Sequence, residues 1–189
     1  MNPPWRPRAP GSRRCHSRVT LRILVALNRI SESAAPLHQE LANAPTRDKI
    51  STIRTLPLLY ARASDKTLAA RVVRQALEGE LNHPAVGPTA WTTIGRMYLA
   101  ADDKARTLEA AGNALAQDPG DDGAAMLALQ LVEGSVTQAE PLLTRYLAGK
   151  PLPEVRMAYA RVLLDAQRLS DTQSQVQAVT REHPDLAQA

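Results

Sequence analysis

Trp91-Thr92-Thr93-Ile94-Gly95-Arg96-Met97-Tyr98, followed by Ala111, Ala114 and Pro119, is the stretch on which the architecture turns. Trp91, Ile94 and Tyr98 stand at i, i+3 and i+7, which places them on one face of a helix. Gly95 removes a side chain where that helix meets its partner most closely. Asp102-Asp103 then offers an N-cap for a second helix over about 104–117. Ala111 and Ala114 give this second helix a small-residue face. Asp118-Pro119-Gly120 cannot continue it and closes the unit. Residues 88–119 therefore read as one helical hairpin.

The pattern recurs in register on both sides. Upstream, over 46–79, Ile53, Leu56 and Tyr60 precede Ala69, Val73 and Ala76, with Pro57 in place of the small crossing residue. Downstream, over 122–151, Ala125, Ala128 and Leu129 precede Ala139, Leu143, Tyr146 and Pro151. The last copy, over 153–184, runs Arg156, Tyr159, Ala160 and Leu163, then Thr172, Val176, Val179 and Pro184. Residues 19–45 form a degenerate hairpin. Its first helix begins at Val19, and its second is capped by Ser33, with Leu37 and Leu41 buried. Ten helices follow. Ser64 or Asp65 is expected to cap the fourth, Thr137-x-x-Glu140 and Ser170-x-x-Gln173 are capping boxes for the eighth and tenth, and Pro57 should kink or split the third.

This arrangement resembles the tetratricopeptide repeat, a unit of about 34 residues that opens on W-x2-L-G-x2-Y and closes on proline. The match departs at Thr107, where the family prefers Ala, and at Ala111, where it prefers a large aromatic. The resemblance implies an all-α fold, an α-α superhelix or solenoid of stacked hairpins, with first helices lining a concave groove that receives a protein or peptide. In that register the groove positions are Arg54, Thr92, Arg96, Met126, Gln130, Met157 and Arg161. Some relatives clamp a C-terminal carboxylate with Lys and Asn at such places, and Asn is absent from these positions here, so that clamp is not expected. Three arginines with thioethers between them suit an acidic, partly apolar peptide, because guanidinium binds carboxylate bidentately.

Composition agrees with an all-helical chain. Among 189 residues there is no Phe, aromatics are 3%, and 44% are apolar, enough to build a core. The net charge of +4 is unevenly spread. Residues 1–31 hold Arg6, Arg8, Arg13, Arg14, Arg18, Arg22 and Arg29 with no acid, which makes them +7 and leaves −3 for the remainder. The repeats thus give no global reason to expect nucleic-acid binding. Residues 1–18, with four prolines, read as a disordered Arg/Pro-rich arm that could tether a nucleic acid or an anionic surface.

The lone Cys15 excludes an internal disulfide and a thiolate zinc cluster. Nucleotide-loop, zincin and hydrolase motifs are missing, the four histidines are scattered, and neighbouring aspartates point apart. The expectation is therefore a non-enzymatic scaffold with no cofactor, metal or small-molecule substrate. Apolar runs are too short for a transmembrane segment, and Ile23–Leu27 is shorter than a signal core. As written the chain reads as cytoplasmic. Longer relatives of the family occur in Gram-negative bacteria and are often exported, which makes a periplasmic or envelope location the alternative. The residues 185–189 look like the start of another repeat, so the last hairpin should keep a partly bare apolar face. Either the chain self-associates through that face, or it is a shortened version of a longer repeat protein.

Overall fold

The computed structural model describes residues 12–135 and 137–183, with side chains from Val19 onward. Its helices are α1 (Ser12–Ala26), α2 (Ala34–Ala42), α3 (Thr46–Leu59), α4 (Lys66–Leu77), α5 (Gly87–Ala100), α6 (Lys104–Gln117), α7 (Asp122–Glu133), α8 (Glu140–Leu147), α9 (Pro153–Asp165) and α10 (Leu169–Glu182). Short 3-10 turns occupy Ile30–Ser33, Tyr60–Arg62, Glu78–Glu80 and Thr137–Ala139. Among the described residues there is no strand. Of the expected disordered arm, residues 1–11 lie outside the described residues. Residues 12–18 correct the expectation, because α1 starts at Ser12 rather than Val19. Arginine is a good helix former and extends the helix ahead of its apolar part.

Each helix packs on its next or next-but-one neighbour in the chain. α5 lies along α6, and α9 along α10. The first helices α3, α5, α7 and α9 pack one on the next, while α2 packs on α4 and α6 on α8. One contiguous core runs through them, from Leu21 and Val25 to Tyr159 and Leu163. Trp91, Ile94 and Tyr98 are buried in it, as their spacing requires. Arg74 lies over the Trp91 ring at 5.4 Å and Arg106 over Tyr98 at 5.5 Å, so cations cover what the core leaves of the two rings.

Gly95 permits a close approach, but mainly to the following pair. A Cβ there would lie 2.5 Å from Cδ1 of Leu127 in α7 and 3.4 Å from Cβ of Ala110 in α6. The missing side chain therefore seats α7 as well as the hairpin partner.

The turns between paired helices share a device that the sequence reading did not anticipate. Asn28, Asp102, Ser135 and Gln167 all have positive φ, between 56° and 65°. In three of these turns the next amide donates back over the helix end: Arg29 to Leu24 O at 2.8 Å, Asp103 to Tyr98 O at 3.0 Å and Arg168 to Leu163 O at 2.8 Å. This is the Schellman closure, normally served by glycine. Gly134 stands one residue before the left-handed position, with φ −76°. The Tyr60–Arg62 turn does the same work between α3 and α4.

Several local expectations change. Pro57 neither splits nor ends α3 at once, because the helix runs on to Leu59 before tightening into the Tyr60–Arg62 turn. Asp65, Asp103 and Asp121 do cap α4, α6 and α7, accepting from the amides of Leu68, Arg106 and Ala124 at 2.8, 3.1 and 2.7 Å. Ser33 does not cap α2. Its buried Oγ donates to Ile30 O and pairs with Tyr60 Oη at 2.6 Å. The two capping boxes are also absent. α8 and α10 have no side-chain cap, and their first-turn acids Glu140 and Asp171 bind Arg168 instead. At α8 a long-range pairing outcompetes the capping bond, and at α10 the competitor is the local Arg168–Asp171 pair.

Candidate partner-binding site

The stacked helices α3, α5, α7 and α9 each leave one narrow strip in solvent, at three- and four-residue spacing. α3 exposes Arg47, Ser51, Arg54 and Leu58, and α5 exposes Arg96 and Ala100. On α7 the strip is Asp122, Met126, Gln130 and Glu133, and on α9 it is Glu154, Met157, Arg161 and Leu164. Six of the seven expected groove residues, Arg54, Arg96, Met126, Gln130, Met157 and Arg161, fall on these strips. Met126 and Met157 are 39% and 45% exposed, unusual for thioethers and unlike the buried Met97.

Thr92 leaves the set. It is 6% exposed and its Oγ1 donates to Asp121 Oδ1 at 3.1 Å. The same oxygen caps α7, so Thr92 serves the joint between α5 and α7 and is not available to a partner. The missed signal was the Asp121-Asp122 pair. Of its two carboxylates, one binds backwards to α5 and the other forwards to α8. The guanidinium of Arg96 lies beside Gly123, where a Cβ would come within 3.1 Å of Nη2. Small residues at the start of α7 thus leave room for that arginine.

Polar joints hold the strips in place. Tyr146 Oη donates to Asp122 Oδ1 at 2.6 Å and accepts from the Leu152 amide at 3.0 Å. Tyr159 Oη donates to Glu140 Oε1 at 2.6 Å, and Arg168 Nη1 donates to the same oxygen at 2.5 Å. Burial, followed by the neighbouring carboxylate, pushes each of these phenols up to about 12. The bonds from Tyr159 and Arg168 hold the Glu140 carboxyl below the usual carboxylate range.

In the last pair, Arg156 takes the place that Trp91 fills in its own helix. It is 7% exposed and donates to Leu147 O at 2.9 Å, Gln175 Oε1 at 3.2 Å and Glu182 at 3.3 Å. α10 buries only Val179. Val176, expected inside, is 39% exposed, and Leu164 and Leu169 are more so. These are the side chains that self-association of this face would use.

Two surface hollows lie elsewhere. One on α8 is lined by Thr137, Glu140, Pro141, Thr144, Arg145 and Ala148. The other lies between α4 and α5, beside Arg71, Arg74 and Tyr98. Neither includes an expected groove residue. No family model, no curated protein and no solved structure matches this chain. Among the described residues, no helix is long and apolar enough to cross a membrane.

Proposed function

We propose that the chain is an interaction scaffold of the tetratricopeptide-repeat kind, which holds a protein or peptide partner along its first helices. The observation that carries this reading is the row of exposed strips on α3, α5, α7 and α9, four successive helices in one stack. The partner lies across the row and meets Arg54, Arg96 and Arg161 as fixed cations, with Met126 and Met157 as adaptable apolar contacts and Gln130 between them. Guanidinium groups pair with carboxylates in a planar fork, and thioethers mould to irregular apolar shapes. An acidic, partly apolar segment fits both. The reading assigns no reaction, cofactor or small-molecule substrate to the site.

Affinity capture from native lysate with the full chain tests this. Replacement of both Arg96→Glu and Arg161→Glu reverses two exposed charges without touching the core. It should abolish capture of partners held by the intact chain, whereas Arg145→Glu on α8 should not. The same proteins captured equally by the double variant would refute the reading.

A further inference from the structure

The outer face of α1 has no use in the stack. Leu21 and Val25 face inward at 3% and 5% exposure, and that is the helix's share of the core. On the opposite side Val19, Ile23 and Leu27 are 56%, 51% and 61% exposed, at i, i+4 and i+8, with Ala26 beside them. The result is a continuous apolar ridge about 12 Å long at the helical rise. Leu27 lies in the turn just past α1, its amide donating to Ile23 O at 2.9 Å so that it continues the helical row. Soluble surfaces carry scattered apolar residues, but three large ones aligned in one row are a surface meant to be covered.

The charge around the ridge restricts what covers it. Ser12–Ala26 contains Arg13, Arg14, Arg18 and Arg22 and no acid. The chain's first acid, Glu32, is ion-paired with Arg29. The elements packed on α1 are α2 and the turns Ile30–Ser33 and Tyr60–Arg62. They add exposed Arg62 and, besides Glu32, only the half-buried Glu40. An apolar ridge on a helix rich in arginine and free of acid is the pattern of a helix lying in an anionic bilayer interface.

We propose that α1 docks on an anionic lipid surface. Val19, Ile23, Ala26 and Leu27 enter the headgroup–acyl boundary, and the exposed Arg22 beside them contacts lipid phosphate. A nucleic acid would satisfy the arginines but has no apolar medium for the ridge. A protein groove would satisfy the ridge but does not need four arginines on one helix. No described helix is long and apolar enough to span a bilayer, so the contact is interfacial. It leaves the α3–α5–α7–α9 row free and stands independently of the partner assigned to that row.

The test is co-sedimentation of the full chain with phosphatidylcholine vesicles, with and without about one-third phosphatidylglycerol. Binding should require the anionic lipid, fall as salt rises, and weaken roughly tenfold or more in Ile23→Ser/Leu27→Ser. Both positions are exposed, so the variant should keep the parent's helical spectrum and melting midpoint. Arg22→Glu should weaken binding as well. Equal binding to neutral vesicles, undiminished binding by the double serine variant, or binding to duplex DNA with none to vesicles would each overturn the proposal.

Discussion

Single residues decide how closely neighbouring helices approach. Gly87 opens α5, and a Cβ there would stand 2.2 Å from Gln117 Oε1 and 2.5 Å from the backbone oxygen of Leu81. The same Leu81 oxygen accepts from Gln117 Nε2 at 2.8 Å, which fastens the α4–α5 connection to the end of α6. Gly87→Ala should therefore destabilise the chain by about 1–3 kcal/mol, the cost of overpacking a site that cannot yield. Urea denaturation followed by circular dichroism measures it, and an unchanged midpoint would contradict the close approach. Gly95 was legible from sequence because it sits inside an aromatic heptad whose period names its face. Gly87 was not, because its constraint comes from residues that are distant in the chain. Thr92 shows the same limit. Its position on α5 was read correctly, yet only the structure shows that Asp121 draws it inward.

At the scale of the helical element, the turns carry the regularity. Four left-handed residues, none of them glycine, stand between first and second helices. A side chain in that conformation costs roughly 1–2 kcal/mol, partly offset in comparisons with glycine by glycine's greater freedom when unfolded. Gln167 has φ 59° and an exposed side chain, so Gln167→Gly should raise stability by about 0.5–1 kcal/mol, while Gln167→Ala should not. Thermal melting of the two variants side by side decides the point. Helix positions were legible because apolar spacing and the aspartate caps Asp65, Asp103 and Asp121 are local signals. The failures at Ser33 and Thr137 share one cause. A capping motif states what a side chain can do locally, and Tyr60, Tyr159 and Arg168 offered more from afar. At Ser170 the competitor is itself local, the Arg168–Asp171 pair.

For the molecule as a whole, the joints between neighbouring helices set a pH limit. Tyr146 and Tyr159 are neutral donors to carboxylates, and their folded pKa of about 12 lies above the ordinary 10.0. The folded state therefore holds these protons more tightly than the unfolded chain. The stability they contribute is complete below about pH 10 and is lost as pH rises from there through about 12. Denaturation midpoints should fall across that window, and Tyr146→Phe/Tyr159→Phe should flatten the fall while lowering the midpoint at neutral pH. A slope identical to the parent's would remove the tyrosines from the explanation. The order of helices and the stacking of first helices on one another were legible from the recurring register. The joints were not, because a hydrogen bond between Tyr159 and Glu140 leaves no trace in periodicity.

Among the described residues every helix leans mainly on its next or next-but-one neighbour, and α1 does not pack on α9 or α10. The loop-closure cost of assembly is correspondingly small, which favours rapid folding from any interior nucleus. The converse holds under tension. A pull across α1 and α10 would meet no distant crosslink among the described residues, and rupture would travel inward one pair at a time, with α5 and α6, wedged between packed neighbours, the last to part.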